Sequence, residues 1–370
     1  MMRAFRKAKE YVPLYAMAIF ATTLLSAILF IIVKCSALFA DFFNYNLTAP
    51  FRAFITSMTS WIPFSVAEFL IISMPLWLTS LVVVGVAKIR QGVKSASKYI
   101  CFLMSVLSVI FITFVWTYSS GYSTTTMDKK LNMERENVSA TELYETSIWL
   151  VDNINELAPK LLYDNTGASI MDYSYGDMSK RLCVAYDDFA DEYGVIRTFK
   201  SRVKPIALSE PFTYTHISGV YSFMTGESNI NVNYPDFIVA STSAHELAHQ
   251  RGVAREEEAN FIAFLVCISS EDEYIRYSGY LDAYINVANA LYSADKNLYN
   301  AVYSRLCPEA RGELLSYSSF FEKYADSKTS EISDSINNSF LQANGQEQGT
   351  KSYGMVTDLT VAYYKAKIKR

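Results

Sequence analysis

The chain has 370 residues, 51% hydrophobic and 19% charged, with a formal net charge of −4. That charge is split: residues 1–118 hold ten Lys/Arg and three Asp/Glu, and the remaining 252 residues hold 23 and 34. An apolar, basic front and a polar, acidic back exclude a simple soluble globule, and an acidic back half argues against nucleic-acid binding. Aromatic residues at 15% exclude intrinsic disorder, and five Cys make no disulfide scaffold.

Residues 14–33, 69–87 and 99–118 are three uncharged apolar runs. Twenty helical residues reach about 30 Å, the thickness of a bilayer core, so each is expected to be a membrane span. The first run is too long for the core of a cleaved signal peptide and has no small-x-small site behind it. Arg3, Arg6, Lys7 and Lys9 precede the first span, and Lys88, Arg90, Lys94 and Lys98 fill the link between the second and third. The positive-inside rule places both segments in the cytoplasm and everything after Tyr118 outside it. The 34–68 link, rich in Phe, Tyr and Trp, is expected on the outer membrane surface, with Glu68 reaching the interface and Pro75 kinking the second span.

Residues 119–137 read as a polar linker. Ser139 and Glu142 have capping-box spacing before an apolar-periodic helix. A second helix is expected over 177–193, ending at Gly194. Residues 195–234 carry the turn formers and β-prone residues of a small sheet, with 229–233 alternating like an edge strand. The chain is helical from Pro235 nearly to its end, apart from a polar loop at 343–351.

The chemistry concentrates in one stretch. Pro235 and Asp236 look like a helix start, with Asp236 as N-cap, and Gly252 looks like its stop. Between them stand His245-Glu246-Leu-Ala-His249, holding two of the chain's three His. On a helix, i and i+4 share a face, so both imidazoles can close on one ion at about 2.0–2.1 Å. Glu246 can then hold the bound water and take its proton, the His-Glu-x-x-His logic of zinc peptidases. An open zinc site needs a third protein ligand. Glu256, in the first turn of the next expected helix, is favoured over Glu257. Asn260, four residues on, can accept the free N–H of a ligand His. Glu257 and Glu258 otherwise read as a solvated acidic turn.

These two segments resemble the gluzincin clan of zinc peptidases, whose third ligand is a Glu on a following helix. Glu256-x-x-Ala259-Asn260 is similar to its Glu-x-x-Ala-Asp/Asn signature. The longer text His245–Gly252, Arg255–Phe261 and Tyr277-Ser-Gly-Tyr280 resembles a bacterial membrane-protein family known only as domain of unknown function 3810. The resemblance covers nearly the whole chain. It implies a mainly α protein of the bacterial cytoplasmic membrane: three spans, then a helical extracytoplasmic gluzincin-like domain with a small β-sheet, binding one Zn2+ and cleaving a peptide or protein substrate. It also implies an edge strand for that substrate, for which Asn231 and Asn233 are the candidates. For an oxyanion-stabilising or substrate-binding group Tyr277, Tyr280, Arg276 and His216 are available. Cys267 is expected in the core, and Cys183 and Cys307 could pair outside the cytoplasm. Two other readings stay open: a sensory or ligand-binding protein that uses the peptidase fold without turnover, and a transport or structural protein built on the spans.

Overall fold

Leu14–Cys35 (α1) is the first of two helices among the described residues long and apolar enough to cross a membrane. The computed structural model describes residues 10–325, 327–346, 348 and 355–369, so Arg3, Arg6, Lys7 and Lys9 lie outside the described residues. After α1 the chain makes two short helical segments and then Ala49–Ser60 (α2). The second apolar run is broken: Val66–Ile72 (α3) and Met74–Arg90 (α4) meet at 56°. Pro75, near the start of α4, has no N–H to continue the ladder, and the Trp77 indole spans the break to the Leu70 carbonyl at 3.2 Å. Val93–Thr117 (α5) is the second long apolar helix. The far ends of these elements meet where Lys94 pairs with Glu10 at 2.9 Å.

The near ends dock on the rest of the chain. The 34–68 link is helical: Arg52 and Thr56 face the rest of the chain, while Leu38, Phe42, Phe54 and Trp61 stay exposed. Fully buried Arg52 donates to the carbonyls of Thr117 (3.1 Å), Arg251 (3.1 Å) and Asn44 (3.2 Å). Thr56 Oγ1 donates to Gly226 O at 2.9 Å. Glu68 accepts from the backbone N–H groups of Ala207 (2.9 Å) and Leu208 (2.8 Å), so its charge is met at this junction. Buried Lys204 and Glu227 pair at 2.5 Å, and Glu227 also accepts the Val66 and Ala67 N–H groups that open α3.

Residues 119–137, expected as a linker, are built in instead. Tyr122 is buried, and Met127, Leu131 and Met133 join the main core. Their polar neighbours misled composition because those bond inward: Thr125 Oγ1 donates to Asp41 at 2.6 Å, and Lys130 pairs with Asp41 at 2.8 Å.

The remaining helices are Ala140–Leu157 (α6), with the expected Ser139/Glu142 capping box; Tyr175–Tyr193 (α7), stopped by Gly194 at φ 63°; Asp236–Gln250 (α8); Glu256–Ile268 (α9); Glu273–Ala294 (α10); Pro308–Glu322 (α11); Lys328–Ala343 (α12); and Val356–Tyr363 (α13), beside several shorter segments. Of the expected 343–351 loop, Ala343 closes α12, and residues 347 and 349–351 lie outside the described residues. One core joins α6 to α10, with Leu150, Leu182, Leu247, Ile262 and Leu281 at its centre.

Two-residue strands β1 (Leu162–Tyr163) and β2 (Ser169–Ile170) pair antiparallel. Val203–Pro205 (β3), Gly219–Ser222 (β4) and Glu227–Ile230 (β5) form a sheet of order β3-β5-β4. β5 is therefore the middle strand, not the edge, and β4 is the edge beside α8. The alternating Asn residues read as a solvated face, but they bond inward: Asn229 Nδ2 to Val220 O (3.1 Å), Asn231 Nδ2 to Thr213 Oγ1 (3.1 Å) and Asn233 Nδ2 to the Tyr324 hydroxyl (3.0 Å).

Candidate metal centre

α8 is buried almost throughout, which a helix tolerates because its backbone groups pair internally. Pro235, not Asp236, holds the N-cap position, and the Asp236 carboxylate instead accepts the Met171 N–H at 2.9 Å. The helix stops where expected. Gly252 has φ 94°, and a Cβ there would stand 2.5 Å from Arg52 Nη2. The turn is short enough for α9 to open with Glu256 facing back onto α8.

His245 and His249 present their rings 4.5 Å apart and nearly perpendicular. Glu256 Oε2 lies 3.2 Å from His245 Nε2 and 3.4 Å from His249 Nε2, and the three atoms fall within 4.8 Å of one another. His249 Nδ1 lies 2.7 Å from the Val253 carbonyl, which can only accept, so Nδ1 carries a hydrogen and Nε2 is the ring atom left to face Glu256. The Tyr118 hydroxyl lies 3.2 Å from the same Nδ1. A ring nitrogen held this close to a carboxylate takes a cation between them, either a proton on Nε2 or a metal ion in its place. Consistent with that, Glu256 Oε2, His245 Nδ1 and Glu246 Oε2 are buried without a hydrogen-bond partner among the described residues. Two imidazoles and a carboxylate are the donor set of an open zinc site, and the residues present fit that ion.

The electrostatics agree with the geometry. Burial opposes charge on His249, but the Glu256 carboxylate outweighs it and carries the imidazole up to about 9. Burial likewise works against Glu256, and the two imidazoles win and hold it well below the usual carboxylate range. Glu246 is pushed up to about 7 by burial, against the pull of both His. Asp282 of α10 is raised by burial to about 6 while His245 pulls it down.

A cavity of about 380 Å³ opens on this cluster. His245, Glu246, Asn260 and Asp282 line it, together with Ser218 and Gly219, with Tyr234, Tyr317 and Phe321, and with Asp334 and Asn337 of α12. Gly219 is required here: a Cβ would stand 2.7 Å from Glu246 Oε1 and 2.6 Å from Thr242 Cγ2.

Of the expected residues, His245, Glu246, His249 and Glu256 converge. Asn260 lines the cavity but bonds neither imidazole: Val253 O serves His249, and the charge of Asp282, beside those of Glu246 and Glu256, reaches His245. Glu257 and Glu258 are buried rather than solvated. Glu257 accepts from Gln346 Nε2 at 2.6 Å, and Glu258 from Arg255 at 2.7 Å and the Met127 N–H at 3.0 Å. Asn231 and Asn233 are held in the loop bonds above and lie outside the cavity. Tyr277 is fully buried with its hydroxyl 3.4 Å from Glu313 and does not line the cavity. Tyr280 packs on Trp149, and Arg276 caps the Ser270 and Glu271 carbonyls. His216, at φ 57°, does line the cavity, its Nε2 2.8 Å from Tyr324 O. Cys267 is in the core as expected, and Cys183 and Cys307 are both free.

Sequence reasoning missed Tyr118, Gly219 and Asp282. Asp282 left a trace: it follows Ser278 by one helical turn on the face of α10 that meets α8, where Ser278 Oγ donates to Phe237 O. Tyr118 and Gly219 reach the site through the fold alone.

A family model described as protein of unknown function (DUF3810) matches residues 43–361. No curated protein and no solved structure matches the chain.

Proposed function

The chain belongs to the DUF3810 family, whose description names no activity, and we propose that it is a membrane-anchored zinc metallopeptidase of gluzincin type acting outside the cytoplasm. The observation that carries this reading is the convergence of His245, His249 and Glu256 beside a cleft in which Glu246 is the next carboxylate. Zinc bound there supplies a Lewis acid for the scissile carbonyl and makes a water acidic near neutral pH. Glu246, whose burial already favours its protonated form, takes the proton of the attacking water and delivers it to the leaving amine as the C–N bond breaks. Val253 O and Tyr118 hold the His249 ring, and Asp282 steadies His245 by charge. Strand β4 is paired on one side only, so its free edge beside Gly219 suits an extended peptide adding as a further strand.

Three crossings fit the connectivity. The broken pair α3–α4 runs from Glu68 at the junction to Arg90 beside the Lys94–Glu10 end, so it is read as one bent span. The Lys/Arg-rich 88–98 link then lies in the cytoplasm and the cleft on the other side.

The test is metal content and cleavage together. In mild detergent the chain should hold about one zinc, lost in His249→Ala and weakened in Glu256→Gln. Glu246→Gln should keep the zinc and lose cleavage of a peptide library. A well-folded chain that takes up no zinc under non-chelating conditions would overturn the reading. Signalling that survives Glu246→Gln would favour a sensory role.

A further inference from the structure

The helix above the cleft, α12, has two unlike sides. Asp334 and Asn337 face the cavity, and Ser330 and Leu341 on the same side are buried. On the opposite side stand Ile332, Ile336 and Phe340, exposed at 63%, 66% and 40%. Positions i, i+4 and i+8 form one stripe along a helix. An exposed apolar stripe on an otherwise polar helix marks a contact surface.

The end of the stripe says what it meets. The Phe340 ring packs edge-on against Phe114, centroids 6.3 Å apart, and Phe114 lies in the last turn of the long apolar helix α5. Phe223 closes on Phe114 from the neighbouring loop at 5.4 Å, and exposed Met224 follows it. The Phe340 end of the stripe therefore stands at the level at which α5 would leave the hydrocarbon. A helix at that level, apolar on one side and polar on the other, has the form of an interfacial helix.

We propose that α12 lies in the surface of the phospholipid bilayer, with Ile332, Ile336 and Phe340 in the lipid, and that its polar side roofs the cleft at the membrane surface. This rests on the membrane reading of α5 and not on peptidase activity. The experiment places an environment-sensitive NBD fluorophore at Ile336→Cys or, on the flank of α12, at Glu331→Cys. The background is the full chain with Cys35, Cys101, Cys183 and Cys307 changed to Ser, in phosphatidylcholine nanodiscs. The label at 336 is expected to emit to the blue of the label at 331. It should also be quenched several-fold more by lipid brominated along its acyl chains. Equal quenching at the two positions overturns the proposal. So does a label at 336 that the brominated lipid leaves bright, whether its emission is aqueous or blue-shifted by a second copy or a protein partner. Neither zinc nor hydrolysis enters the readout, so the peptidase reading can fail while this one stands.

Discussion

Glu246 has room to work because residue 219 has no side chain. Gly219→Ala would put a carbon 2.7 Å from Glu246 Oε1, and the flexible end of the carboxylate would have to give way. Zinc content should stay at the wild-type level while kcat/KM falls by about 10²-fold, the scale on which a roughly 1 Å misplacement costs rate. Unchanged cleavage would show that Glu246 does not use this position. Glu246→Gln should be harsher, costing about 10²–10⁴-fold because the proton has no carrier. Glu313 offers a test of stability rather than rate. Burial raises its carboxyl to about 7, with the Ser169 N–H and Tyr277 hydroxyl pulling the other way. A carboxyl whose folded pKa lies above its unfolded value binds more protons when folded. Stability should therefore fall as pH rises from about 4.5 to about 7 and level off above. Glu313→Gln should flatten this slope and raise the melting temperature at pH 8, as calorimetry in detergent would record. An unchanged slope would assign it to other groups.

The helix that carries His245 and His249 is positioned from its C-terminus. Its last turn ends on Arg251, whose carbonyl accepts from Arg52, and the same guanidinium holds the end of α5 through Thr117 O. Arg52→Met would leave those buried carbonyls unpaired at about 1–3 kcal/mol each, and the melting temperature should drop by at least several degrees. Zinc affinity should weaken as well, since Tyr118 and His249 sit on the two elements being clamped. A variant that melts with the wild type would mean that water replaces the guanidinium. Such contacts set the limit of what could be read in the sequence. The capping box, the Gly194 and Gly252 stops and the i, i+4 pair were legible because a few adjacent residues determine each. The break in the second apolar run was legible at Pro75. The edge strand was not: a polar alternation looks the same whether its amides face water or, as with Asn231 and Asn233, hydroxyl groups brought in from Thr213 and Tyr324. The Val253 carbonyl beside His249 Nδ1 was missed for a similar reason. A backbone carbonyl has no residue type to recognise, and Asn260 drew the eye because side chains are what a sequence shows.

At the scale of the whole molecule, a membrane module tied on by a polar linker predicts that the C-terminal half folds without it. The contacts predict the reverse. Met127, Leu131 and Met133 fill the core of that half, Tyr118 meets His249, and Arg52, Thr56 and Glu68 bond its backbone. Glu227 is buried against Lys204 and takes two of its bonds from the first N–H groups of α3, so removing the module strips partners from a buried charge. Residues 138–370 expressed alone should thus be poorly soluble and show weak, non-cooperative unfolding by circular dichroism. They should bind less than a stoichiometric zinc, whereas the full chain in detergent unfolds cooperatively. A soluble, cooperatively folding fragment with one tight zinc would reduce the spans to a tether. The expected outcome gives them a structural part in the site, because the helix that carries His245 and His249 is then held from the membrane side.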